Sequence, residues 1–519
     1  MKHAPEQVLL QAGTLSWPWA NSLWGGKAGR LRRLATLSGL VLASLCLLSV
    51  SSAAGLPRAG SFDPSFGSEG VVTHSPGAGG ISAIAVQPDG KIVVAGGSAI
   101  ARYLPNGSPD SSFGKGGYVE APAGAVASRV AVEPDGKIVV AGNHPQYAES
   151  SEFIVARYDS YGSLDKSFGT GGVVTTVIPA PPGYSNDACG GPCPPSSAVA
   201  ALAILPGGDI VAAGSTFGLA EDECCNYWLS SIALVRYTSD GSLDPTFGKS
   251  GIAETGGPDY ALDGISVLPS GKIVATGAGY GLGKDDNGEW ITLARYLPDG
   301  ALDPSFGTKG TGTVSTGYEF GDLAGGPSAL QDGKIVVAGS GQGPHGVIPV
   351  LARFGANGRL DTSFGHYGFA KIRLGSGGAS TVVAQADGKI LFATGSSVVR
   401  LTPDGELSTS FGAGGVMHVG TPVSSLALQA DGKILVGGGS GGSWTLARLF
   451  GSTECAVPRV RGETIAEATA TLRKSYCTRG TIAWYPSSTV THGQVIYTTP
   501  APGAYRPHGY AVELVVSEG

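Results

Sequence analysis

The sequence predicts an all-β fold, a seven-bladed β-propeller followed by a small α+β module, and three observations carry that expectation. A phrase close to V-x-P-D-G-K-I-V-V-A-G, then A-R-Y, then L-D-x-S-F-G, recurs seven times between residues 61 and 450. Each copy holds four short runs of strand character, and a period of about 50–60 residues built in this way marks a radial or stacked repeat. The series is also out of phase. It begins with a fourth-strand mark and ends on a third strand, an offset that an open β-solenoid would not use.

Every repeat opens with a hairpin. Its turn is Pro88-Asp89-Gly90, Pro134-Asp135-Gly136, a degenerate Pro206-Gly207-Gly208-Asp209, Pro269-Ser270-Gly271, Asp332-Gly333, Asp387-Gly388 and Asp431-Gly432 in turn. Apolar, β-branched runs flank each turn, as Ile84-Ala85-Val86 and Ile92-Val93-Val94 do in the first copy. An Asp-Gly pair between two such runs is a strong hairpin signal, because glycine takes the positive φ a tight turn needs.

A third strand follows, carrying Arg102, Arg157, Arg236, Arg295, Arg353, Arg400 and Arg448 at one repeated position. Equivalent arginines inside a packed ring are expected to bond blade carbonyls or the aspartates of L-D-x-S-F. The sixth copy breaks that pairing with Ser408. Phe66-Gly67, Phe113-Gly114, Phe168-Gly169, Phe247-Gly248, Phe306-Gly307, Phe364-Gly365 and Phe411-Gly412 then lead into a short fourth strand. The last repeat stops at Trp444 to Phe450, so residues 70–74 at the start of the series are expected to supply its outer strand. That pairing would close the ring and leave no free sheet edge.

These marks resemble the delta-sixty repeat family of bacterial extracellular proteins, related to NHL-type propellers. The resemblance implies an exported propeller and brings no assigned activity with it. Residues 455–519 change character: Val457-Pro458, Gly462, Thr464 to Glu467, Leu472, Cys477, Gly480 and Pro500 to Gly503 succeed one another. Thr464 and Glu467 form a capping box that starts a helix running to about Tyr476, with three strands after it. This segment resembles a PASTA domain, and that likeness implies contact with peptidoglycan.

Lys27, Arg30, Arg32 and Arg33 precede an apolar run from Leu34 to Val50 and the small residues Ser52-Ala53-Ala54. Basic, apolar and small residues in that order make a secretory signal, so 1–54 reads as an N-terminal extension and signal peptide. The run is short for a membrane span of about 20 residues, and no span is expected in the mature chain. The expected location is secreted or extracellular, with cell-wall association through the terminal module. The propeller then occupies 61–450 and the PASTA-like domain 455–519.

Cys46 falls within the apolar run, leaving six of the seven cysteines in the mature chain. An even number in an exported chain points to disulfides. Cys455 and Cys477 bracket the start and the helix end of the terminal module and are expected to bond. Cys189 and Cys193 sit in one insertion of the third repeat, Cys224 and Cys225 in the next. Propeller topology places both insertions on one face, where they should meet. Disulfides of open connectivity are favoured there over a four-thiolate zinc site, because adjacent Cys224 and Cys225 present both sulfurs poorly to one tetrahedral ion.

The net charge is −6, and no basic run appears, so nucleic acid is not an expected partner. Segments 143–152, 179–197, 216–228, 277–290 and 339–348 vary in length on one rim and read as long loops, where binding is expected. Tyr147, Trp228, Tyr280, Trp290 and His345 lie in them as candidates to stack on a glycan or peptide. The inner strands offer mostly small residues, among them Ser82, Ser128, Gly264, Ser380 and Ser424, with Asp263 and Asp322 as the nearby carboxylates. Two carboxylates are a thin set for a hard cation, which wants six or more oxygens. No catalytic, cofactor-binding or metal-binding residues are assigned. The expected function is an exported non-catalytic binding or scaffold protein whose propeller presents its rim to a protein or cell-surface glycan. The opposing expectation is a propeller-fold lyase or lactonase-type hydrolase with an axial metal.

Overall fold

The computed structural model describes residues 58–519 apart from 77–78, 123–124, 145–151, 186–194, 222–225, 257–259, 281–288, 308–309, 316–327, 330–332, 345, 375–376, 452–453, 503 and 508. Residues 1–54, expected as an extension and signal peptide, lie outside them. Among the described residues, no helix is long and apolar enough to cross a membrane.

Seven four-stranded antiparallel sheets form from the repeats, each ordered from its first strand outward. Blade one is representative, with strands Ala83–Val86, Ile92–Gly96, Ala99–Tyr103 and Tyr118–Glu120. Its two middle strands are buried along their whole length. A sheet covered on both faces cannot alternate apolar and polar residues, which explains the continuous Ile-Val-Val-Ala runs. The apolar clusters accordingly lie between neighbouring blades, one for each of the seven pairs.

Blade seven closes the ring. Its own strands are Val423–Leu428, Ile434–Ser440 and Ser443–Leu449, and Val71–His74 from the beginning of the described chain pairs antiparallel on the outside, Val71 opposite Ala447 and His74 opposite Trp444. The segment before that strand is tied in as well: Asp63 N–H donates to Arg448 C=O at 2.9 Å and Phe450 N–H to Ser61 C=O at 2.9 Å.

The repeated arginines staple the blades together. Six of the seven donate from Nε to an L-D-x-S-F aspartate at 2.6–2.9 Å: Arg102 to Asp110, Arg157 to Asp165, Arg236 to Asp244, Arg295 to Asp303, Arg353 to Asp361 and Arg448 to Asp63. From Nη1 each reaches a turn carbonyl of the next blade, Ser160 for Arg102 and Pro105 for Arg448. Each guanidinium also lies 4.5–4.8 Å from the centroid of a Phe-Gly phenyl ring. The lysine of the Asp-Gly-Lys turn backs the same carboxylate, as Lys433 does for Asp63 at 3.0 Å and Lys272 for Asp303 at 2.7 Å. In blade six Arg400 Nε meets the Ser408 hydroxyl at 3.1 Å in place of a carboxylate, and Lys389 turns to Asp387 instead.

These pairs set an acid limit on stability. Burial alone would raise the Asp63 carboxyl. Hydrogen bonds from Ser65 and Lys433 and the nearby Arg448 charge outweigh it and hold the group at about 2, below its usual 3.8. Asp361 is likewise held at about 2, burial being outweighed by Ser363, Lys334 and Arg353. A carboxylate with a depressed folded-state pKa stabilises fully above its unfolded value and loses that contribution as pH falls toward the folded one. The urea midpoint is therefore expected to stay flat from neutral pH to about 5 and to fall between about pH 4 and pH 2. A midpoint that held constant to pH 2 would contradict the pairing.

Residues 454–519 form a separate small core of Val457, Val460, Ala468, Leu472, Val495, Val512, Leu514 and Val516. The helix Ile465–Lys474 starts at the expected capping box, Glu467 N–H donating to Thr464 Oγ1 and Thr464 N–H to Glu467 Oε2. Behind it lies a sheet of Thr478–Tyr485, Ala511–Ser517 and Val495–Thr499, in that spatial order. Cys455 and Cys477 are bonded.

Candidate functional site

Three places on the molecule bear on function: the axial channel, the rim of long segments, and the seat of the terminal module. Antiparallel strands alternate direction, so the Asp-Gly hairpin turns share one face with the turns after the third strands. The hairpins joining second and third strands occupy the opposite face, together with the blade-to-blade connections.

The axial channel is a cavity of about 640 Å3 lined by the first strands of six blades. Two serine hydroxyls there bridge blades: Ser380 Oγ donates to Val423 C=O at 2.8 Å, and Ser424 Oγ donates to Ile81 C=O across the closure. One guanidinium stands among them. Arg129 donates from Nη1 to Ser128 C=O at 2.8 Å and from Nε to Ala200 C=O of the next blade. Burial pulls its pKa down, and the Asp263 carboxylate pushes it back up. Asp322 lies outside the described residues. The sequence reading passed over Arg129, yet superposing the repeats on their Asp-Gly turns exposes it, since Ala83, Ala201, Gly264, Thr381 and Ser425 hold the equivalent position. Among the described residues no three His, Cys, Asp or Glu side chains come together.

On the rim, several segments expected as loops are continued strands. Ile210–Glu221 and Asn226–Tyr237 pair down to Glu221 opposite Asn226, and Ile335–Gly343 pairs with Gly346–Phe354 down to Gly343 opposite Gly346. The backbone pairing continues past the blade edge, with Thr216 opposite Ser231 and Leu219 opposite Trp228. Trp228, Tyr280 and Trp290 thus sit on paired hairpins, opposite Leu219, Glu289 and Gly279 respectively. Tyr147 and His345 lie outside the described residues, as do Cys189, Cys193, Cys224 and Cys225. The two insertions around blade three do meet: Ser185 N–H donates to Leu219 C=O at 2.9 Å, and a Cβ on Gly218 would fall 2.7 Å from the Tyr184 ring.

The terminal module is seated on the opposite, short-turn face. In most blades a residue of the turn after the third strand covers the hairpin glycine, as Pro105 covers Gly90, Pro298 covers Gly271 and Pro403 covers Gly388. Blade seven has no such turn, because its chain leaves for the terminal module after Leu449. Two substitutes complete it. Gly451 C=O accepts from Arg400 Nη1, where the other arginines use a turn carbonyl. Over Gly432 lies the Tyr476 ring, so close that a Cβ on that glycine would fall 1.7 Å from a ring carbon. The buried Tyr476 hydroxyl accepts from Gln385 Nε2 of blade six at 2.7 Å. Tyr476 holds φ at 59°, at the helix C-terminal position that ordinarily takes glycine. The strained backbone is what aims its ring at the propeller.

Two family models match a chain of this geometry. One, described as a domain of unknown function (DUF5122) β-propeller, matches residues 87–113, 133–168, 227–247, 268–306, 330–364 and 385–411. The PASTA domain model matches residues 456–518. Among solved structures, a gluconolactonase from Xanthomonas campestris is similar at 12% identity, covering 76% of this chain and 95% of its own, with a TM-score of 0.35. A putative glucose dehydrogenase from Thermus thermophilus is 13% identical over 73% of this chain and 100% of its own, TM-score 0.36. Drosophila semaphorin 2a is 9% identical over 80% of this chain and 85% of its own, TM-score 0.42. The chain carries DUF5122 β-propeller repeats, closed into a ring of seven blades, and a C-terminal PASTA domain.

Proposed function

We propose that this is an exported, non-catalytic binding or scaffold protein, held at the cell wall by its PASTA domain while the propeller rim faces a protein or glycan partner. The observation that carries the reading is the seat of the PASTA domain. Tyr476 fixes it on the short-turn face, which leaves the extended hairpins of blades three, four and five on the other. A wall-bound module and a partner-facing rim on opposite sides of a rigid disc suit a presenting role. The bonded Cys455 and Cys477 fit an oxidising compartment. An axial metal enzyme is less well served, because the Arg129 guanidinium already occupies the cationic place beside Asp263 in the channel.

Sedimentation with purified peptidoglycan tests the tether. The full chain should co-sediment, and replacing Trp484, Tyr485 and Tyr497 together with alanine should reduce the bound fraction several-fold. These aromatics of the PASTA domain are 44%, 55% and 52% exposed, so their removal spares the fold. If the triple variant sediments as well as the parent chain, the domain is not the tether.

A further inference from the structure

A second candidate binding place lies at the periphery of the short-turn face, lined by no residue of the rim hairpins or of the PASTA domain, so it goes beyond the reading above. Between blades five and six lies a groove of about 1080 Å3 that opens to solvent. Its floor is apolar, with Leu360, Phe369, Ile372 and Leu407, and its walls carry Lys371, Arg373 and Glu406. At one end stands Tyr367, 71% exposed, with His366 meeting it edge-on at 4.5 Å between centroids.

Tyr367 is the one aromatic residue at its position in the repeat. It occupies the turn after the Phe-Gly mark at φ 52°, where blades one, two and six have Gly116, Gly171 and Gly414 at φ 64–66° and other blades carry Glu69 or Ser250. A non-glycine residue in this left-handed region costs about 1 kcal/mol. A large apolar ring left mostly in water gains almost nothing from burial to offset that. Glu69 and Ser250 share this backbone conformation, so the exposed ring is what sets blade five apart.

We propose that this groove binds an acidic saccharide chain, with the Tyr367 ring stacking on a pyranose face and Arg373 with Lys371 receiving its carboxylates. At 71% exposure most of the ring is open to solvent, and a flat aromatic face suits the apolar face of a sugar ring. The cationic wall supplies charge complementarity, since a planar guanidinium pairs well with a carboxylate. Glu406 across the groove accepts from ring hydroxyls. An open trough rather than a closed pocket fits a chain that continues past both ends.

The test is calorimetric titration of the full chain with an oligogalacturonate, using a neutral cello-oligomer and an oligoglutamate peptide as comparisons. Saturable binding of the oligogalacturonate is expected, with both comparison ligands at least about tenfold weaker. Tyr367→Gly, which restores the residue three other blades use, should weaken binding about tenfold without lowering the melting temperature. Arg373→Gln should weaken it as well, and Tyr367→Phe should retain it. Absence of saturable binding, equal binding of the neutral oligomer or the peptide, or unchanged affinity in Tyr367→Gly would each overturn the proposal. None of these results depends on peptidoglycan sedimentation, so the two readings fail separately.

Discussion

A chain lacking residues 58–74 is expected to lose its monomeric propeller and to appear as aggregate in size-exclusion chromatography with light scattering. The deletion uncovers the whole length of strand Ser443–Leu449, whose outer partner is Val71–His74. An exposed apolar strand edge is a template for pairing with another chain. It also removes Asp63, the carboxylate that faces both Arg448 at 2.8 Å and Lys433 at 3.0 Å, at side-chain exposures of 6% and 19%. Leaving buried cations without their counter-charge costs about 3–5 kcal/mol, comparable with the whole stability of many domains. The Phe66 ring, fully buried between blades seven and one, is lost with the same segment. Asp63→Ala separates the contributions. It keeps the strand and should lower the unfolding free energy by about 3–5 kcal/mol while the protein stays monomeric. A truncated chain that remained monomeric, with a melting temperature equal to that of the full chain, would show that ring closure contributes nothing.

That closure was legible because the repeat has a phase as well as a period. A series opening on Phe66-Gly67 and ending on Arg448 can be completed only by joining its ends. The arginine pairing was legible for a related reason: residues fixed eight positions apart in successive blades share one chemistry, and Ser408 marked the departure. Other features were hidden by their own physics. The rim segments around Thr216–Glu221 read as loops because Gly218 and the acidic, cysteine-containing stretch after it break the strand pattern, although the backbone pairing continues. Arg129 was overlooked because small residues at the equivalent positions made the first strands look chemically plain. Tyr367 was passed over because the turn it occupies follows the Phe-Gly mark, where the repeat otherwise carries small or hydrophilic residues. The docking of Tyr476 had no sequence signal at all, because the gap it fills exists only once the ring has closed.

Replacing Tyr476 with alanine is expected to release the PASTA domain from the propeller and split thermal unfolding into two transitions. The ring is 6% exposed and packs its edge against Gly432, so its removal opens a cavity that the rigid hairpin turn cannot collapse into. Truncating a buried aromatic residue costs about 3–5 kcal/mol, and here nearly all of it falls on the contact between the two parts. Gln385 Nε2 loses its acceptor at the same time. The segment leaving blade seven near Gly451 should then become open to limited proteolysis, while the Cys455–Cys477 bond and the PASTA core keep the released domain folded. Two further substitutions grade the effect. Tyr476→Phe keeps the ring over Gly432 and removes the hydroxyl alone, which should cost about 1–3 kcal/mol. Gly432→Ala attacks from the other side: its Cβ would meet the ring, and φ of 82° already disfavours any side chain. It should reproduce the Tyr476→Ala proteolysis pattern, since both changes unseat one contact from opposite sides. A single unfolding transition at the parent temperature in Tyr476→Ala would mean that the domain is held by other contacts, and the proposed separation of PASTA domain and rim would lose its structural basis.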